Sequence, residues 1–406
     1  MERPVHAVVL PPGRRLYAAL ARALDGGPAI CPLSPGLPAP ALEAMLAALR
    51  PAAVVTADGE RPYRGRPGAP GPADPADATD AAAGEAGEAA VLIATSGSTG
   101  APKIVELSAA ALRFSAAATL RRLGARPGDR WLCCLPTSHI AGIQVLVRSL
   151  VAGTEPIIHE RFDVEAVAAA VRRGAVQHIA LVPAQLRRLI DAGAGLNHVE
   201  TILLGGAAAA PELIDAARSA GAPVVTTYGM SETCGGCVYD GVPLDGVFAD
   251  VGADGLIRLA GPVLLSGYRL RPDLTAAAVR DGWFVTSDLG SLENGVLRVL
   301  GRADDVINTG GEKVVPGMVE RVLAAHPAIK DIAVVGRADP EWGQRVVAVV
   351  VPAGPAPAAD DLLADLRAWV RDRLPACAAP RQLEFAEAIP LLPSGKPDRA
   401  RLRAGG

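Results

Sequence analysis

A strand-like apolar run, Val91–Ala94, empties into Thr95, Ser96, Gly97, Ser98, Thr99 and Gly100, with Pro102 and Lys103 just beyond. Hydroxyls and side-chain-free backbone N–H groups at this density can wrap phosphate oxygens, and the lysine adds charge. The string is not the G-x-x-x-x-G-K-[ST] phosphate loop, because Pro102 stands where that pattern requires glycine. Nor is it a dinucleotide turn, since IVELS after Lys103 reads as a second strand instead of a helix. A second loop, TTYGMSETCGG, offers the flat ring of Tyr228 to a purine and the hard oxygen of Glu232 to Mg²⁺. Gly229, Met230, Ser231 and Thr233 surround these two. A third segment, Trp283-Phe284-Val285-Thr286-Ser287-Asp288, ends in a carboxylate able to accept both hydroxyls of a ribose. A fourth, GRADDVINTGGEKVVP, sets Arg302, Asp304 and Asp305 ahead of Gly310-Gly311. The fifth, Pro393-Ser394-Gly395-Lys396-Pro397-Asp398, is a tight turn presenting one lysine near the C-terminus.

Lysine is scarce: it occurs only at 103, 313, 330 and 396, and the other 36 of 40 cations are arginine. Where lysine persists, a compact ammonium on a flexible stem is wanted in place of a planar fork. Three of the four sit beside glycine-rich turns; Lys330 reads as a solvated charge. His139, in Thr137-Ser138-His139-Ile140, precedes an apolar helix and on its own reads as a histidine satisfied at a strand end. Gln144 and Arg148 fall on one face of that helix at i, i+4. Arg148 is expected at the surface, the alternative being a partner for the second carboxylate of a dicarboxylic substrate. Cys234-Gly-Gly-Cys237 is a lone pair without a second at zinc-finger spacing, so neither metal nor redox use is expected.

The elements that must position these loops follow an α/β rhythm. Ala7–Leu10, Ala29–Leu33 and Ala52–Thr56 read as strands, Arg14–Leu24 and Pro40–Leu49 as helices. After a Pro-, Gly- and acid-rich stretch over 58–89, expected to be a flexible surface loop, the rhythm resumes. Strands are expected at Trp131–Leu135, Pro156–His159, His178–Val182, Thr201–Leu204 and Pro223–Thr227. Helices fall between them at Ala109–Leu123, Gly142–Val151, Val164–Arg172, Ala184–Asp191 and Pro211–Ala220, the first capped by Ser108 and stopped by Gly124. Such alternation predicts parallel sheets covered by helices. After Gly229 short β-like pieces take over through Val299, with a hairpin signal at Asn294-Gly295. A smaller α/β unit follows from about Arg302.

The chain has 406 residues, a net charge of −3 and six cysteines, and half of it is apolar. At about 150 residues per domain it divides into two or three. There is no basic field for nucleic acid, no disulfide scaffold, and no apolar run of the ~20 residues a membrane span needs. The N-terminal apolar run is too short for a signal peptide, so a cytoplasmic protein is expected.

Taken in order, the five segments resemble the acyl-adenylate-forming superfamily of acyl-CoA synthetases, adenylation domains and luciferases, over residues 91–399. The resemblance implies an α/β fold: a large N-terminal AMP-binding lobe of helix-covered sheets over 1–301, and a smaller mobile C-terminal domain over 302–406 with its hinge near Asp304. It implies that Thr95 to Lys103 hold the phosphates of ATP. Tyr228 would stack on adenine beside Gly205, Gly206 and Ala207, and Glu232 would bind Mg²⁺. Asp288 and Arg302 would hold the ribose, Lys396 would be the adenylation lysine, and His139 would gate the acyl pocket. The Gly310-Gly311 loop would serve thiol attack by coenzyme A. Within the superfamily, LPTSHIAGIQVLVRSLVAGT and YGMSETCGGCVYDG look most like the actinobacterial o-succinylbenzoate–CoA ligases of menaquinone synthesis. Other aryl- or acyl-CoA ligases, carrier-protein loading, and non-catalytic nucleotide binding stand as alternatives. The expected partners are a carboxylic acid, ATP and CoA, with neither nucleic acid nor membrane; a homodimer is left open.

Overall fold

The structure, a computed structural model, describes residues 3–64, 88–95, 102–392 and 397–405. Among these, four sheets are formed. The first runs, edge to edge, Gly267–Tyr268, Lys103–Ser108, Ala89–Thr95, Ala29–Leu33, Val5–Val9, Ala53–Thr56 and Gly59–Pro62. Its middle four strands are parallel. Covered on both faces, such strands read as unbroken apolar runs instead of alternating ones, and Val91, Leu92 and Ile93 are all buried. The second sheet places Thr201–Leu204 between His178–Leu181 and Val224–Met230 in parallel, then reverses into Gly235–Tyr239.

The largest core lies between these two sheets, where helices Arg14–Leu24, Ala109–Leu123 and Ile140–Ala152 contribute Leu16, Leu20, Leu112, Ile143 and Leu146. Ser108 accepts a hydrogen bond from the Ala111 N–H, and Gly124 closes that helix in the left-handed region, as the sequence predicts. A third, antiparallel sheet carries the long hairpin Trp283–Glu293 and Val296–Arg302. Asn294 and Gly295 turn it with φ of 52° and 77°, the conformation that dipeptide favours. The fourth sheet, with Ile329–Asp339 and Gly343–Pro352 at its centre, has a core of its own built on Val334, Val350 and Leu366. Its helix Pro316–Ala324 leans on the third sheet, where Arg321 donates to the Val299 carbonyl at 2.7 Å.

Three local readings change. The stretch expected to be a loop from 58 to 89 begins with a strand, Gly59–Pro62, paired antiparallel to Ala53–Thr56; residues 65–87 lie outside the described residues. That strand needs no apolar side chains because it is an outermost strand with mostly exposed residues. Pro272–Ala278 forms a short helix within the β-rich region, entered through its proline. Arg148, expected at the surface, is buried. Its helix is apolar nearly all round because it is enclosed within the core.

Candidate active site

Strand Val224–Met230 delivers Tyr228 where its pairing with Gly235–Tyr239 shifts register, between Tyr228 and Gly229. Only glycine fits next: a Cβ on Gly229 would lie 2.0 Å from the Gly235 carbonyl oxygen. Gly205 is equally constrained, since a Cβ there would meet Thr227 Oγ1 at 2.3 Å. The Tyr228 hydroxyl donates to Asp288 Oδ2 at 2.8 Å. Burial, reinforced by the Asp288 charge, pushes the phenol pKa upward, which keeps its proton in that bond. Asp288 stands opposite Arg302 on the long hairpin, and Arg302 Nη1 approaches Asp288 Oδ1 at 3.5 Å. The Asp288 backbone N–H donates to Thr286 Oγ1 at 3.0 Å, and Arg302 Nη2 donates to Asp304 Oδ2 at 2.8 Å. Tyr228, Asp288, Arg302 and Asp304 thus form one line, hydrogen-bonded at its two ends and joined in the middle by an ion pair.

Glu232 sits on the short turn Ser231–Thr233. Tyr268 donates its hydroxyl to Glu232 Oε1 at 2.9 Å, and the Leu265 N–H donates to the Glu232 carbonyl at 2.8 Å. Tyr268 pairs with Val105 on the strand that starts at Lys103, so this carboxylate is tethered beside the end of the phosphate-loop candidate. Among the described residues Glu232 Oε2 accepts no hydrogen bond. One hard oxygen held in place, with the remaining ligands left to phosphate and water, suits Mg²⁺. Thr233 is buried and its hydroxyl is consumed inside the turn, accepting from the Met230 N–H at 3.0 Å and donating to the Gly235 carbonyl at 2.8 Å. Thr95 Oγ1 donates to the Lys103 carbonyl at 3.2 Å, closing the neck of its loop. Ser96, Gly97, Ser98, Thr99 and Gly100 lie outside the described residues, as does Lys396.

His139, half-buried, is the N-cap of helix Ile140–Ala152, and its carbonyl accepts from the N–H groups of Gly142 and Ile143. Gly142 lets the helix close on the preceding turn, for a Cβ would stand 2.5 Å from the Pro136 carbonyl oxygen. One turn apart on that helix, Gln144 is 0 % and Arg148 4 % exposed. The Arg148 guanidinium lies 4.9 Å from the centre of the Trp131 ring, which packs against His178 at 4.8 Å. Burial lowers the Arg148 pKa against the opposing pull of the Tyr239 hydroxyl. Among the described residues no carboxylate pairs with it. Cys234 and Cys237 are buried, and burial pushes both thiols upward, Cys237 to about 12.

In the fourth sheet Gly310 and Gly311 turn between Ile307–Thr309 and Glu312–Val314 with φ of +61° and +84°. The Trp342 ring fills the space a Gly310 side chain would need. Downstream of Lys396, Arg399 Nε meets Asp305 Oδ2 at 3.2 Å, its Nη2 meets Glu320 Oε1 at 2.8 Å, and its Nη1 donates to the Val334 carbonyl at 2.6 Å. The structure therefore joins Tyr228, Asp288 and Arg302 directly. It adds Tyr268, which loop composition does not single out, the support that Thr286 gives Asp288, and the burial of Gln144 and Arg148, whose shared helix face the spacing predicts. Residues 267–268 offer only a Gly-Tyr in a β-rich stretch, with no spacing that speaks of chemistry.

The AMP-binding enzyme family model matches residues 3–264, and the model of the AMP-binding enzyme C-terminal domain matches 318–396. A protein of Mycobacterium tuberculosis named "probable 2-succinylbenzoate–CoA ligase" is 47% identical over 326 residues, 77% of this chain and 83% of its own. The 2-succinylbenzoate–CoA ligase of a Listeria monocytogenes strain is 33% identical over 331 residues, 77% and 69% of the two chains. Among solved structures, o-succinylbenzoate CoA synthetase of Bacillus subtilis with its acyl-adenylate intermediate superposes with a TM-score of 0.81 at 27% identity, covering 99% and 88%. An amide bond synthetase of Marinactinospora thermotolerans reaches 0.85 at 26%, covering 100% and 90%. Among the described residues no helix is long and apolar enough to cross a membrane. This chain belongs to the AMP-binding enzyme family, with the acyl-CoA synthetase-like fold of a large α/β N-terminal part and a smaller C-terminal one.

Proposed function

We propose that the chain is an ATP-dependent acid–thiol ligase that joins o-succinylbenzoate to coenzyme A through an acyl-AMP anhydride. The ligase names of its relatives support the reaction, and Arg148 carries the choice of acid. A cation buried without a carboxylate partner is costly. A dicarboxylic acid repays that cost, because one carboxylate is activated while the other meets the guanidinium. Benzoate or a fatty acid, with its only carboxylate at the reacting end, brings nothing for Arg148.

In this reading the loop from Thr95 to Lys103 cradles the phosphates, Tyr228 lies on adenine beside Gly205, Gly206 and Ala207, and Asp288 and Arg302 take the ribose hydroxyls. Glu232 holds Mg²⁺, which when bound withdraws charge from the phosphate oxygens. The substrate carboxylate attacks the α-phosphorus; an O–P bond forms as the bond to the β-phosphate oxygen breaks, and pyrophosphate leaves. Catalysis of such a transfer is mostly positioning and charge, and Lys396 supplies an ammonium there. Coenzyme A then attacks the acyl carbon through its thiolate, and AMP leaves.

Residues 302–406 act as a body that turns about Asp304, withdrawing Lys396 and presenting Gly310-Gly311, whose bare backbone admits a pantetheine arm. The ties from Arg399 to Asp305, Glu320 and Val334 support one body on that side of the pivot. His139 gates the acyl pocket, and the enzyme works in the cytoplasm, where ATP and coenzyme A are found. The test is a coupled assay with o-succinylbenzoate, ATP, Mg²⁺ and coenzyme A, with benzoate and fatty acids as controls. An amine arm addresses the fold likeness to an amide bond synthetase. Thioester from o-succinylbenzoate alone is expected; amide in place of thioester, or a preference for a monocarboxylate, refutes the proposal.

A further inference from the structure

Helix Ile140–Ala152 crosses the largest apolar core, yet it keeps two long polar side chains one turn apart. Among the described residues neither the amide oxygen nor the amide nitrogen of Gln144 has a hydrogen-bond partner, and Arg148 Nε likewise has none. A primary amide carries two donors and an acceptor oxygen, and burying it unbonded costs stability that Leu or Met at the same place would not. The surroundings of Gln144 narrow the reason. Its Cγ stands 3.6 Å from where a Cβ on Gly235 would be, with Ile140 Cγ1 at 3.7 Å. Gly235 and Gly236 pair with Met230 and Gly229, so Gln144 abuts bare backbone of the hairpin that carries Tyr228 and Glu232. The amide thus lies behind the adenylate-forming loop, one helical turn from a buried cation.

We propose that Gln144 is a specificity-determining residue of the acyl pocket: its Nε2 donates to an acceptor oxygen within the acid's own chain, alongside the Arg148 guanidinium. This rests on the reading of the chain as a carboxylate-activating ligase. Two oxygens of o-succinylbenzoate share the required chemistry, the ketone and the carboxylate that is not activated. A site built to hydrogen-bond a substrate oxygen discriminates strongly against analogues lacking it, whereas an amide satisfied by internal water confers no selectivity among acids.

The experiment compares wild type with Gln144→Met, which keeps the volume and removes the hydrogen-bonding groups, by acid-dependent pyrophosphate exchange. Three acids are used: o-succinylbenzoate, its analogue with a methylene in place of the ketone, and its analogue without the second carboxylate. The variant is expected to raise KM for o-succinylbenzoate about 10- to 100-fold, to leave KM for ATP within about twofold, and to melt no lower than wild type. Its penalty should vanish for the one analogue that lacks the oxygen Gln144 binds, which names the ketone or the carboxylate. A lowered melting temperature with equal penalties, or no penalty, across all three acids overturns the proposal. Gln144→Leu replaces the methionine variant if that one fails to fold. Should wild type use none of the three acids, the substrate reading falls, and the same comparison on the acid it does use, against its analogue lacking an oxygen, still decides for or against Gln144.

Discussion

Along the rim made by Tyr228, Glu232, Asp288 and Arg302, polar side chains already hold one another. On the wall made by helix Ile140–Ala152, Gln144 and Arg148 are buried with bonding capacity to spare. In the proposed function the rim handles ATP, and preorganised dipoles there need no rearrangement as charge develops. In the same proposal the wall handles the acid, and unmet polar groups are how a buried pocket refuses the wrong one. Pairing before the ligand arrives marks the shared chemistry, and lack of pairing marks the selective part.

The sharpest way to break that comparison leaves both regions intact. Lys396→Ala should cut acyl-adenylate formation by about 10²–10³-fold, the scale of losing one oxyanion-hole donor. It should still convert supplied acyl-adenylate to thioester, as measured by separate half-reaction assays. Equal loss in both halves contradicts the two-position account. Next, Arg148→Leu should lower kcat/KM for o-succinylbenzoate about 100-fold, the size of a lost bond to a charged group. KM for ATP should hold, and the melting temperature should not fall, because removing a buried unpaired charge relieves its desolvation. A shift in KM for ATP would erase the distinction between wall and rim.

Smaller effects belong to the rim. Tyr268→Phe frees Glu232 Oε1 and should weaken Mn²⁺ binding in the presence of ATP several-fold by electron paramagnetic resonance; unchanged binding would mean that the tyrosine only packs. Tyr228→Phe should raise KM for ATP about fivefold, the worth of one ordinary hydrogen bond, without altering the order of preference among acids. The smallest effect concerns the wall's far side. Burial holds the pKa of His178 below its ordinary 6.5, with the Asp129 bond pulling the other way. The unfolded chain therefore binds that proton more readily, and stability should fall as pH drops below about 6.5. Urea unfolding at pH 5, 6 and 7.5 measures the slope; His178→Gln should flatten it.

Much of the frame is legible in the sequence because its signals are local. Ser108 and Gly124 bound a helix, Asn294-Gly295 makes a hairpin, and buried parallel strands appear as unbroken apolar runs. Tyr228, Asp288 and Arg302 stand out because each sits in a segment of distinctive composition, although their mutual contacts span 60 residues in one case and a register across a hairpin in the other. Arg148 misleads for a physical reason: spacing places it correctly beside Gln144, but exposure depends on sheets folded over both sides of its helix. Tyr268 is invisible for the same kind of reason. Its partner lies 36 residues away on another element, and nothing in a Gly-Tyr pair announces that.

The most direct measurement of the central claim is a single-turnover experiment with o-succinylbenzoate, ATP and Mg²⁺ in the absence of coenzyme A, products identified by mass, followed by a coenzyme A chase. The account predicts stoichiometric acyl-AMP and pyrophosphate, then conversion of the acyl-AMP to thioester with release of AMP. ADP and phosphate as products, or pyrophosphate release that does not depend on the acid, would contradict it.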